Sequence, residues 1–296
     1  MPRNINTSST APDDSTRPAP LPATFAERLA AVRARMERAA ANAGRRAEEI
    51  TLVGVSKNHP REAIDEAWKA GVRHFGESKT QEARLKMGSA GGLPGTWHFI
   101  GHLQTNKAKD AAALFSRIDS VDTLELAREL DKRAGTLGRE LAVLLQVNVA
   151  GESAKFGLRP DEALAAALEL NNLRRLRLEG LMLIAPYATQ PEKVRPIFAK
   201  LRELRDAMEK ESGLSLPVLS MGMSHDLEVA IEEGATEVRV GTDLFGERKS
   251  AWFGGRAAAE EAKPASADTP APKEKTWRQR AAENADDVPT IMYGEE

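Results

Sequence analysis

Eight short strand-like runs divide the middle of the chain, at 50–56, 72–77, 96–101, 117–121, 141–149, 176–185, 217–222 and 237–241. Between most of them lie helical patterns: "REAIDEAWKAG", "TLELARELDKRAG", "PDEALAAALELNN", "PEKVRPIFAKLRELRDAMEKESG" and "HDLEVAIEEG". The segments around "KTQEARLKM" and "TNKAKDAAALF" show a weaker helical period. Strands alternating with helices imply right-handed crossovers and a parallel sheet. Eight such units in about 200 residues fit one closed (β/α)8 barrel of the TIM type better than an open doubly wound sheet. No internal sequence repeat stands out beyond this rhythm.

The flanks differ from this middle. Residues 1–22 are rich in Ser, Thr and Pro and read as a disordered leader. An extra N-terminal helix is expected from Thr24, which has capping-box spacing to Glu27. Phe25, Leu29, Val32 and Met36 recur along one face of it, and Gly44 is placed to end it. The barrel is therefore expected over 23–250. Residues 251–296 lack an apolar period and read as a flexible tail, with Ile291, Met292 and Tyr293 as a candidate partner motif.

Composition excludes several kinds of chemistry. There are no cysteines, so disulfides, thiolate metal sites and cysteine nucleophiles are out, and a reducing cytoplasmic setting is expected. The 42 Lys and Arg nearly balance the 44 Asp and Glu, which gives no overall nucleic-acid footprint. No apolar run approaches a membrane span, and the N-terminus lacks a signal-peptide block. His98 and His102 are four apart but flank a strand-like segment, so no metal site is expected there. "SHD" at 224–226 cannot form a triad from adjacent residues.

In a barrel of this kind, chemistry collects where the C-terminal strand ends meet the loops. "ITLVGVSKNHP" puts Lys57 just past the first strand. Ser224, in "SMGMSHD", falls past the seventh; Gly241 and Thr242, in "VRVGTDLFGER", fall past the eighth. Glycine lets backbone approach an anion, and helix starts aim N–H groups at it. A partly desolvated lysine has its pKa pulled below about 10.4, which makes the nucleophilic amine accessible. Lysine and anion site together suggest a phosphorylated carbonyl compound held as a Schiff base.

The blocks "LVGVSKNHP", "RHFGES", "WHFIGHLQTNK", "VNVAGESAKFGL", "LEGLMLIAP", "LSMGMSHDLEVAI" and "VRVGTDLFGER" together resemble the pyridoxal-phosphate homeostasis proteins. These are the YggS-type relatives of the N-terminal barrel of alanine racemase, and the resemblance runs from about Phe25 to Arg248. It implies that Lys57 carries pyridoxal 5′-phosphate (PLP) as a Schiff base. It implies that the hydroxyls of Ser224 and Thr242, with backbone N–H groups near Met223, Ser224 and Gly241, hold the phosphate. Arg239 would face the barrel and point at the pyridine nitrogen, where a fixed cation disfavours ring protonation and blunts carbanion chemistry. Asn106 and Lys155 match family blocks and are expected to make polar contacts at the mouth; Lys107 is expected to be solvated. The family commonly reads Gly-Glu-Asn-Tyr where this chain has Gly76-Glu77-Ser78-Lys79, and Asn58 stands where a threonine is usual.

A PLP barrel is not by itself an enzyme. Racemase chemistry needs a second base, supplied in that family by a tyrosine from a separate β-domain, and no pattern after residue 250 would build one. The chain's tyrosines are Tyr187, expected at the rim, and Tyr293 in the tail. The sequence therefore favours an intracellular PLP carrier or buffer, with PLP-dependent apo-enzymes as candidate receivers and no catalytic residue assigned. An alanine racemase-like enzyme and a Schiff-base lyase acting on a phosphorylated sugar are the alternatives.

Overall fold

A computed structural model describes residues 24–88, 94–152 and 155–247. Eight parallel strands close in chain order: β1 (Thr51–Val55), β2 (His74–Glu77), β3 (Thr96–Phe99), β4 (Arg117–Val121), β5 (Leu141–Gln146), β6 (Leu176–Met182), β7 (Val218–Met223) and β8 (Glu237–Val240). The barrel expected from the alternating pattern is the observed one. β5 and β6 are shorter than the apolar runs that announced them, because Val147 forms only an isolated bridge with Leu158 and Leu183 already leaves the ladder. The expected leader and tail, including Ile291, Met292 and Tyr293, lie outside the described residues.

Helices cover the outside: α1 (Phe25–Asn42), α2 (Arg61–Lys69), α3 (Thr80–Met87), α4 (Ala108–Leu114), α5 (Leu124–Thr136), α6 (Ala163–Asn171), α7 (Arg195–Ser212), α8 (Leu227–Glu232) and α9 (Thr242–Phe245). The extra helix α1 starts at a complete capping box. Thr24 accepts from the Glu27 N–H, and the Glu27 carboxylate accepts from the Thr24 N–H. Its apolar face, Phe25, Leu29, Val32 and Met36, is buried, each such side chain contributing roughly 1–3 kcal/mol. It ends where expected: Gly44 takes the left-handed conformation, φ 66°, just past the last turn.

That helix sits against the closing seam. Arg28 donates to the Leu244 carbonyl, while Arg45 donates to the carbonyls of Ile231 and Ala235. Arg35 reaches Glu228, Asp243 and the Ser224 carbonyl, tying α1 to α8 and α9. Beneath it β1 and β8 pair through Thr51↔Glu237, Leu52↔Val238, Val53↔Arg239 and Gly54↔Val240. The barrel's first and last strands are thus neighbours.

Candidate functional site at the barrel mouth

Lys57 stands on a tight turn directly after β1. The His59 N–H donates to the Ser56 carbonyl, and Asn58 adopts φ 63°, the third-position geometry of a type II turn. Asparagine tolerates that conformation better than most side chains. The turn is held from below by α3. The Lys86 ammonium, 2% exposed, donates to the Ser56 carbonyl (2.7 Å), to Glu77 (2.7 Å) and to Glu82 (2.6 Å). Glu82 in turn accepts the Asn58 N–H, and the Ser56 hydroxyl donates to Glu77 at 2.6 Å. Both residues flanking Lys57 are therefore fixed by one buried cluster. Burial pushes the Glu77 carboxyl up to about 7, with Lys86 opposing it.

A small cleft above this turn is lined by Val55, Lys57, His59, Gly241, Thr242 and Gly246. It brings together the lysine after β1 and the Gly-Thr pair after β8, 184 residues apart along the chain but side by side at the seam. His59, packed against Phe245 with ring centroids 5.2 Å apart, belongs to the same cleft. The sequence reading missed it, although it stands only two positions after Lys57.

Arg239 lies beneath the mouth on β8 and faces the barrel interior, almost fully buried. Its guanidinium donates to the Ser220 hydroxyl at 2.7 Å and to the Leu183 carbonyl at 2.8 Å. Burial pulls its pKa below the ordinary arginine value, while Glu237, Asp119 and Asp226 pull the other way. Deeper still, Arg117 donates to Asp119 at 2.7 Å and contacts Glu237. Burial would raise the Asp119 carboxyl, but Arg117 and His98 outweigh it and hold it well below the usual carboxylate range. His98 shares a 3.0 Å contact with His74, which burial and His98 pull down to about 4. His98, Asp119 and Glu237 offer ligand atoms within 4.8 Å of one another, but Arg117 already brings positive charge to both carboxylates.

The other expected residues fall as follows. Ser224 directly follows β7, and its carbonyl accepts from Arg35 at 2.8 Å. Met223 ends β7, and its N–H donates to the Asp226 carboxylate at 2.6 Å. Asn106 is exposed on the 3-10 turn Thr105–Lys107 and does not line the Lys57 cleft. Lys155 pairs with Glu152 at 2.9 Å and lines a separate hollow of about 530 Å³ with Arg159 and Asp161. Ser78, Lys79, His102 and Lys107 line another groove, of about 310 Å³. These hollows are larger than the Lys57 cleft, yet neither contains the seam lysine or the loop after β8. Size does not identify the site here.

The alanine racemase N-terminal domain model matches residues 28–249. A pyridoxal phosphate homeostasis protein from Aquifex aeolicus is 48% identical over 226 residues, covering 75% of this chain and 98% of the relative. The chain belongs to the pyridoxal phosphate homeostasis protein family. A member of this family from Escherichia coli K12 is 40% identical over 229 residues, covering 76% of this chain and 97% of its own length. PipY of Synechococcus elongatus, solved with PLP bound, is 40% identical with a TM-score of 0.65 and covers 75% of this chain and 100% of its own. An alanine racemase from Clostridium difficile, 18% identical, covers 76% of this chain and 58% of its own with a TM-score of 0.61, a likeness of fold alone. Among the described residues, no helix is long and apolar enough to cross a membrane.

Proposed function

We propose that this chain binds PLP as a Schiff base on Lys57 and serves intracellular PLP homeostasis as a carrier or buffer, without turnover. The observation that carries this reading is the shared cleft: Lys57 and the Gly241–Thr242 pair line one opening at the barrel seam, with Arg239 fixed on β8 beneath the mouth. The residues present fit the cofactor. Gly241 has φ −109°, which any residue adopts, and a Cβ built on it would stand in ordinary contact with Val55, 3.5 Å from its carbonyl oxygen. Neither backbone strain nor packing demands glycine there, so the space it leaves beside Lys57 suits a ligand. At the start of α9 Leu244 and Phe245 donate to the Gly241 carbonyl, which leaves the N–H groups of Thr242 and Asp243 to suit a phosphate, together with the hydroxyls of Thr242 and Ser224.

Bound PLP supplies an aldehyde that a neutral lysine amine attacks with release of one water, a bond that water or a second amine can reverse. Lys57 would hold that carbon, Thr242 and Ser224 the phosphate, and Arg239 the ring nitrogen. Handing the cofactor to apo-enzymes follows from the same reversibility, and the lack of cysteine suits a reducing cytoplasm. Tyr187, the tyrosine among the described residues, is 81% exposed, stacks on His225 and is not among the residues that line the Lys57 cleft.

Borohydride reduction of the PLP-saturated protein followed by peptide mass spectrometry tests the reading. The expected result is one adduct per chain, on Lys57, absent from Lys57→Ala. An unmodified Lys57 in intact, saturated protein would overturn it. Stereospecific turnover of alanine by the loaded protein would overturn the non-enzymatic part.

A further inference from the structure

The interior of a barrel is usually filled with branched apolar side chains, yet here a chain of polar groups climbs through it to Arg239. Strand register explains how. Ser220 on β7 is the Cα partner of Glu237 on β8, and Arg239, two residues further along β8, shares the face of Glu237. The register then slips: Met223, three residues after Ser220, partners Arg239, two residues after Glu237. This bulge contains Gly222, φ 92°, where a Cβ would come within 2.6 Å of the Ala230 Cβ. The extra residue lets β7 present Ser220 inward beneath Arg239 and still deliver Ser224 to the rim.

The direction of each hydrogen bond is fixed by chemistry. A guanidinium can only donate. The Ser220 hydroxyl must therefore accept from Arg239, at 2.7 Å, and its single proton goes to the Glu237 carboxylate, at 2.8 Å. The other oxygen of Glu237 meets Arg117. Ser220 also fixes the second Arg239 partner, because its backbone carbonyl accepts the Leu183 N–H at 3.2 Å while the Leu183 carbonyl accepts from Arg239. Among the described residues, two of the five guanidinium N–H groups are thus engaged, one by the Ser220 hydroxyl and one by a carbonyl whose own residue bonds the Ser220 backbone.

We propose that Ser220, backed by Glu237, is the positioning residue that holds the Arg239 guanidinium in one orientation beneath the mouth before any cofactor arrives. It rests on the reading of Lys57 and Arg239 given above, and it adds that the orientation is preset by the protein rather than induced by the ring. Hydrogen bonds in a low-dielectric interior polarise one another, so a serine that donates to a carboxylate is a better acceptor for the arginine.

Two measurements on the full chain separate this proposal from its parent. In ligand-free protein, nitrogen-15 NMR should show slow rotation of the Arg239 guanidinium, faster in Ser220→Ala and restored in Ser220→Thr, which keeps a hydroxyl. In protein loaded with PLP, Ser220→Ala should still trap the adduct on Lys57. It should shift the absorption maximum of the bound cofactor and weaken retention roughly threefold to tenfold, with Ser220→Thr closer to the parent. Glu237→Gln should act in the same direction as Ser220→Ala and gives the same readouts if that variant does not fold. An unchanged guanidinium rotation, an unchanged spectrum, or a Thr variant that moves as far as the Ala variant would each overturn the proposal. Failure of the wild type to trap PLP on Lys57 would instead sink the parent reading, and the ligand-free measurement would still judge whether Ser220 orders Arg239.

Discussion

Two buried charged clusters support the mouth, and they are built on opposite electrostatic terms. Under Lys57, one ammonium, Lys86, faces two carboxylates, Glu77 and Glu82. Under Arg239, two guanidiniums, Arg117 and Arg239, share the interior with Asp119 and Glu237. The first cluster is short of positive charge, and burial leaves Glu77 poised at about 7. In the second, Arg117 faces both Asp119 and Glu237, and Asp119 is held well below its usual range against the pull of burial. One side of the mouth can therefore exchange a proton near neutrality, while Asp119 on the other stays charged.

The widest gap should appear on removing each cluster's cation. Arg117→Met removes the cation that holds Asp119 charged against burial and that contacts Glu237, and should cost about 3–5 kcal/mol in urea unfolding at pH 7. Lys86→Met should cost less, nearer about 3 kcal/mol, because Glu77 can take up a proton. Equal or reversed costs would break the comparison.

The pH dependence has opposite signs on the two sides. Glu77 protonates at about 7 in the folded chain against about 4.5 unfolded, so the folded state binds more protons between those values. Its contribution is complete below pH 4.5 and lost as pH rises through 7, a decline of about 3 kcal/mol. Glu77→Gln should flatten that slope, measured by denaturation at pH 5 and 7.5. Asp119 works the other way: its contribution is present above its unfolded value of 3.8 and is lost as pH falls further. If the Glu77→Gln profile matches the wild type between pH 4.5 and 7, the poised carboxyl is misassigned.

The smallest effect asks whether the rim divides its labour in the same way. Ser224→Ala and Thr242→Ala should each weaken PLP retention by about 1–3 kcal/mol while leaving the Lys57 adduct detectable. Equilibrium dialysis checks this, and undiminished affinity in the double variant would move the phosphate away from the loops after β7 and β8.

The eight strands and their order were legible because apolar runs and amphipathic helices alternate so regularly. The weak signals were α3 and α4, and the structure shows why. The buried face of α3 carries Glu82 and Lys86, charges that interrupt the apolar period, and that of α4 is made of alanines 108, 111 and 112. Lys57, Gly241 and Thr242 could be placed by counting past strand ends. Ser220 could not, since one serine inside "LSMGM" reads as neutral filler until the register sets it opposite Glu237. The charged pairs Arg117/Asp119 and Glu237/Arg239, two apart within strands, were the available signal for a polar interior. The engaged Met223 N–H was foreshadowed only by an aspartate three residues later.

The pairing of β1 with β8 has one more outcome. Because Lys57 and the loop after β8 sit on the two ends of a ring, PLP bound as proposed would act as a clasp across its join. Vitamin loading should then protect amides along that join from exchange more than those between β4 and β5, where the ring is already continuous.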